Sequence, residues 1–223
     1  YLGKYGEHIL NGGLTNVLGV TGPGNSYKSE LIEYMMRQMI RRFPHSTATP
    51  YDTEANKSPM RGLELFQAHP EWNGENVIDT GRWSVISSGD HLGCEWWDKT
   101  KEYLNDIKIK DAKKYTVTTP FLNSTGTELR PMIVPTGCTI DSLSKFRTKD
   151  VTKMQDDNEL GASGANTIWM RQGASKKRLL EEMTNICKAS NDFCAMVAHI
   201  GEKSKTDHYA PNVVVLQHLG SDK

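Results

Sequence analysis

Apolar residues in this chain fall into two kinds of run. Leu14 to Thr21 (LTNVLGVT) is a short β-branched and aliphatic stretch that stops at the turn-forming cluster Gly22-Pro23-Gly24-Asn25-Ser26. From Lys28 to Phe43 the spacing changes. Leu31, Ile32, Tyr34, Met35, Met36, Met39, Ile40 and Phe43 recur at helical intervals, with Arg37, Gln38, Arg41 and Arg42 filling much of the rest. Pro44 ends that helix. The opening therefore predicts strand, glycine-rich turn and helix, then a second strand over Thr47 to Asp52 that runs into Glu54 and a polar turn.

The middle is less regular. It predicts short strands at Asn76 to Asp79 and Trp83 to Ser87, then a helix over Cys94 to Lys108 whose apolar residues are Trp96, Trp97, Tyr103, Leu104 and Ile107. Tyr115 to Arg130 reads as a β-hairpin turning at Ser124-Thr125-Gly126, and Met132 to Ile140 as a mostly apolar strand closed by Asp141-Ser142. A polar, partly basic stretch runs from Lys145 to Gln172. A helix follows over Lys176 to Ser190, with buried strands at Phe193 to Ile200 and Val213 to Gln217. Near-continuous apolar strands separated by amphipathic helices predict an α/β fold with a mostly parallel central sheet flanked by helices. No repeat, low-complexity tract or linker divides it, so residues 1–223 read as a single domain.

Composition trims the possibilities. The longest apolar run, Phe193 to Ala198, is far short of the roughly 18 residues a membrane helix needs, so no membrane contact is expected. Lys plus Arg and Asp plus Glu balance at 27 each, which leaves local segments, not a global field, to meet any nucleic acid. Cys94, Cys138, Cys187 and Cys194 show no zinc or redox spacing, so they read as reduced, mostly buried thiols of a cytoplasmic protein.

Chemistry concentrates in the turn before the first helix. Gly22-Pro23-Gly24-Asn25-Ser26-Tyr27-Lys28-Ser29 nearly fits the phosphate-loop pattern G-x-x-x-x-G-K-[ST], with Tyr27 in place of the second glycine. Such a loop curls backbone N–H groups around phosphate oxygens at a helix N-terminus. Lys28 then adds a point charge for the β- and γ-phosphates, and Ser29 a hydroxyl for Mg²⁺. Phosphoryl transfer also needs one carboxylate for the metal's water shell and another to orient the attacking water. Asp141 ends an apolar strand, which suits either the metal role or a cap on the next turn. Glu54 lies at a strand's carboxyl edge, where open α/β sheets bind ligands, although an isolated surface glutamate is equally at home in solvent. His199, at the end of another apolar strand, reads from its residues alone as a structural histidine.

In order along the chain, these motifs resemble the ATPase core of RecA-type recombinases, and most closely the phage UvsX-like branch. That branch also carries an aromatic residue before the loop's Lys-Ser, matching Tyr27. Its Tyr-Asp-Ser-Glu-like motif resembles Tyr51-Asp52-Thr53-Glu54, its Ile-Asp-Ser-Leu matches Ile140-Asp141-Ser142-Leu143, and its Asn-His strand end resembles Ala198-His199. The similarity spans about Gly13 to Gln217. Trp72 to Arg130 does not map cleanly and is expected to hold an insertion. The family's polymerisation segment is not recognisable in Tyr1 to Asn11, its trans-acting lysines lie beyond the last strand, and flanking parts of the natural protein are expected on both sides.

The resemblance implies the following roles. Gly22 to Ser29 bind ATP, and Ser29 with Asp141 (through water) holds Mg²⁺. Glu54 activates water, with Lys28 on the phosphates and His199 reporting the γ-phosphate. Two polar segments take the places of DNA-binding loops: Asp150 to Lys177, with Arg171, Lys176 and Lys177, and Gly201 to Asn212, with Lys203 and Lys205. Cations beside glycines and an aromatic ring suit single-stranded DNA, although a solvated loop has the same composition. The expected protein is a DNA-dependent ATPase that self-associates for recombination and repair. A ring-forming helicase of the same fold, or a regulatory nucleotide-binding module, are the other readings.

Overall fold

Strand β1 (Val17–Gly22) ends at the glycine-rich turn, and helix α1 (Lys28–Arg42) leaves it. These stand in a computed structural model that describes residues 4–7, 16–88, 93–148, 164–199, 202–206 and 214–218, with the backbone alone at 94, 164–170, 202–206 and 214–218. α1 then crosses to β2 (Thr47–Asp52). The crossing leaves a gap that β6 (Thr136–Asp141) and β7 (Phe193–His199) fill much later in the chain, giving the order β1-β7-β6-β2-β3. All four pairings are parallel, β3 being only Ile86–Ser87.

Alternation along the strands splits the core into two layers. Phe193, Ala195 and Val197 of β7 pack with Ile32, Met36, Met39 and Ile40 of α1 and with Leu63 and Phe66 of α2 (Pro59–Gln67). The intervening Cys194 and Met196 face the opposite layer. There, Trp96 and Trp97 of α3 (Gly93–Glu102) meet Leu179, Met183 and Ile186 of α4 (Gly164–Ser190). A sheet buried on both faces explains why its strands read as continuous apolar runs. Arg82 closes the carboxyl end of α1. It donates through Nη2 to the carbonyls of Ile40 (2.6 Å) and Phe43 (3.0 Å) and through Nε to that of Ser46 (3.0 Å), satisfying carbonyls that no helical amide can reach.

The structure departs from the sequence reading in several places. Asn76 to Asp79 is a turn, because the Asn76 Oδ1 accepts the amides of Ile78 (3.1 Å) and Asp79 (3.3 Å). Trp83 makes only a single bridge, to Ala48. α3 runs on as a π-helix over Tyr103–Ile109, whose wider turn leaves Ile107 44% exposed and Lys108 fully buried. The hairpin's second strand, β5 (Leu129–Ile133), takes Met132 from the strand predicted to begin there. It pairs with β4 (Thr116–Leu122) outside the main sheet, and β6 starts after Pro135.

Further along, α4 begins at Gly164, ahead of the start predicted at Lys176, so Arg171 stands on the same helix as Lys176 and Lys177 and not on a loop; residues 149–163 lie outside the described ones. β8 (Glu202–Thr206) and β9 (Val214–His218) form a separate antiparallel pair. Lys203 and Lys205 are therefore strand residues, and β9 is not a strand of the parallel sheet. Among the described residues no helix is long and apolar enough to cross a membrane.

Candidate functional site

Register brings the strand ends together. Gly22 is paired with His199, Asp141 with Val197, and Asp52 with Asp141, so the turn after β1, His199, Asp141 and the segment after β2 share one carboxyl edge. β7 extends two residues beyond the end of β6, which carries His199 past Asp141 toward the β1 turn.

The turn itself is built from tight backbone. A Cβ at Gly22 would lie 3.0 Å from Ser26 Oγ and 3.5 Å from Lys28 Cδ, so a side chain there would crowd the loop. Asn25 and Tyr27 both take left-handed φ near +55°. Asparagine tolerates that conformation, whereas tyrosine is strained there. Ser26 Oγ donates to the Pro23 carbonyl at 2.9 Å. The Lys28 ammonium, with the residue only 6% exposed, donates to the same carbonyl and to Ser26 Oγ at 3.1 Å. The first-turn amides of α1 have no carbonyl to bond within the helix, and with the helix dipole they favour an anion at this end.

Glu54 lies where three groups converge. Its Oε1 is 3.4 Å from Ser142 Oγ, 3.4 Å from Lys145 Nζ and 3.6 Å from His199 Nε2. Its position follows from Asp52, buried at the end of β2. The Asp52 Oδ1 accepts the Glu54 amide (2.9 Å), and Oδ2 accepts the amides of Asn56 and Lys57 (both 2.7 Å). Asp52 is therefore the clamp that shapes this loop. Thr53 fastens the loop to the end of β6: its amide donates to the Asp141 carbonyl (2.7 Å), and its hydroxyl accepts the Ser142 amide (2.6 Å). Glu54 and His199, taken separately from two strand ends, are thus neighbours across the edge.

Asp141 is buried and paired. Its Oδ2 lies 3.0 Å from Lys57 Nζ, which also bonds Glu33 on α1. Burial pulls the Lys57 pKa down, but Glu33 and then Asp141 outweigh it, leaving the ammonium held above its ordinary value. Sequence reasoning missed Lys57, Glu33 and Lys145, because lone charged residues in polar turns or on a helix carry no pattern.

A magnesium ion can be tested against this donor set. Among the described residues no group of three or more His, Cys, Asp or Glu side chains gathers, so an all-protein cage has no candidate there. Mg²⁺ bound to a nucleotide needs little protein: one or two hard oxygens, with phosphates and waters filling the octahedron. Ser29 and Asp141 supply such oxygens, and Asp141 already holds a cation, the Lys57 ammonium. The residues fit.

Of the cations expected to meet DNA, Lys176 stands beside the segment that carries Ser142 and Lys145. Lys176 donates to the Ser144 carbonyl (3.1 Å), burial lowering its pKa, and Lys177 lies 3.9 Å from Glu181. Arg171 is exposed on α4, and Lys203 and Lys205 alternate along β8 opposite Gln217 and Val215. The sequence matches no family model and no curated protein.

Proposed function

We propose that this chain is a RecA-type ATPase core that hydrolyses ATP with Mg²⁺, binds single-stranded DNA and self-associates to pair homologous strands. One observation carries the reading. The phosphate-type loop, the buried Asp141 and the Glu54–His199 pair, far apart in sequence, meet at one carboxyl edge of a parallel sheet.

In this reading the loop amides and Lys28 bind the β- and γ-phosphates, while Ser29 and, through water, Asp141 hold the metal. When bound, Mg²⁺ neutralises charge on the phosphate oxygens. Glu54 takes a proton from the attacking water as its oxygen bonds to the γ-phosphorus and the bond to ADP breaks. Ser142 and Lys145 hold that carboxylate in place. His199, 3.6 Å from Glu54, registers the γ-phosphate, and three residues on it opens β8, which carries Lys203 and Lys205. That short path supports coupling between nucleotide and DNA.

The test is ATP hydrolysis measured alone, with single-stranded DNA and with duplex. Strong stimulation by single strands only is expected, and equal rates throughout count against the proposal. Lys28→Ala should abolish turnover. Glu54→Gln should keep nucleotide binding and lose about 10²-fold or more in hydrolysis, the scale of a lost general base; normal turnover in that variant refutes the role of Glu54.

A further inference from the structure

The Lys57 side chain joins three elements. Its backbone amide is fixed by Asp52 at the end of β2, and its ammonium bonds Glu33 of α1 and stands 3.0 Å from Asp141 of β6. The side chain is only 10% exposed and that of Asp141 only 9%. An anionic carboxylate so withdrawn from water needs a counter-charge, and Lys57 supplies it. Glu33 has a second cation within reach, Arg37 at 3.7 Å. Ser29, Glu33 and Lys57 line one cleft of about 380 Å³ beside the amino end of α1.

We infer that Lys57 is a resident counter-ion of Asp141 that a nucleotide-bound Mg²⁺ must drive off that carboxylate, leaving it on Glu33 alone, so that Lys57 and Glu33 together set the Mg²⁺ concentration at which nucleotide is held. This rests on the reading of Asp141 as the metal carboxylate. The physics is competition. A hydrated divalent ion at Asp141 and an ammonium 3.0 Å from the same oxygen repel each other in a partly dry site. The ammonium need not enter solvent, because Glu33 already holds it. Since the Lys57 amide shares the Asp52 clamp with that of Glu54, the displacement begins in the loop that bears Glu54. Lys57 is a positioning residue: what it touches is the carboxylate assigned to the metal.

The experiment titrates Mg²⁺ against a fixed concentration of mant-labelled ATP and the full chain, reading nucleotide binding by fluorescence. Lys57→Met removes the competitor and should lower the Mg²⁺ midpoint by about threefold or more, the scale of a partly screened charge pair. Glu33→Gln removes the alternative seat and should raise the midpoint by about as much. Lys57→Arg, which keeps the charge, should stay near wild type, and in EDTA all variants should bind the analogue equally weakly. A purely structural role cannot move the midpoint in opposite directions. If Lys57→Met folds poorly, Glu33→Gln and Lys57→Arg still decide the matter. Midpoints that stay put, or move together, overturn the counter-ion role and leave the nucleotide site standing. A wild-type chain that binds no analogue with or without Mg²⁺ overturns the nucleotide reading and this inference with it.

Discussion

Tyr27 is the residue at which local chemistry and local geometry disagree. Its φ of 55° is one that glycine adopts freely and an aromatic residue resists, yet its side chain is 79% exposed and buries little in return. Tyr27→Gly should therefore leave stability unchanged or raise it by up to about 1 kcal/mol, glycine's extra freedom in the unfolded chain offsetting part of the relief. Tyr27→Val, β-branched at the same φ, should cost about 1–3 kcal/mol. Urea denaturation of the two variants checks both signs. The loop motif that contains Tyr27 was legible because its glycines, lysine and serine follow one another. Lys57 was not, because its meaning depends on Glu33, 24 residues earlier, and on Asp141, 84 later, and only folding brings the three together.

Among the elements, α1 and β2 were the most legible. Each is an unbroken pattern bounded by turn residues, and Thr47–Asp52 holds to the residue. α2 was missed although Ser58-Pro59 opens it with a helix-start signal, because its four apolar residues, Met60, Leu63, Leu65 and Phe66, are spread over nine residues and only Leu63 and Phe66 of them are buried. The loop readings of 164–175 and 202–206 failed for a related reason. Polar composition also describes the exposed face of a helix or a hairpin strand.

Packing beneath α1 makes a sharper prediction. A Cβ at Gly137 would run into Met36 Sδ and come within 2.8 Å of Met39 Cε, so the ends of two buried α1 side chains rest directly on the backbone of β6. Gly137→Ala should cost about 1–3 kcal/mol by overpacking. It should also weaken nucleotide binding to the extent that α1, rather than the two methionine ends, gives way, because the phosphate-type loop opens that helix. Calorimetry and an ATP-analogue titration on the same variant read the two effects.

At the scale of the whole molecule, an ion pair lies wholly buried at the sheet edge opposite the candidate site. Lys108, turned inward by the π-helix, bonds Asp192 and donates to Thr136 Oγ1 at 3.0 Å, and the Asp192 Oδ1 also accepts the Thr136 amide at 2.6 Å. Both side chains are wholly buried, and burial disfavours both charges: the Lys108 pKa is pulled below its ordinary value and that of Asp192 pushed above. Lys108→Met strands the carboxyl and should cost about 3–5 kcal/mol at neutral pH. The folded variant keeps a proton that the unfolded chain releases near pH 4, so its deficit relative to the parent should be smallest below about pH 4 and grow as pH rises toward the raised folded value. Adding Asp192→Asn should recover much of the loss. Thermal melts across pH would show an invariant deficit if Asp192 were ordinary.

Cys138 and Cys194 stand directly opposite each other on β6 and β7, and Cys187 is buried in α4 beside them. Burial raises the pKa of Cys187, and the hydrogen bond with Cys194 followed by burial raises that of Cys138, so neither offers a reactive thiolate at neutral pH. In a Cys94→Ser background, labelling of these sulfurs should wait until the central strands separate. An ordinary alkylating reagent then becomes a stopwatch for rupture of the innermost layer, timed without any engineered reporter.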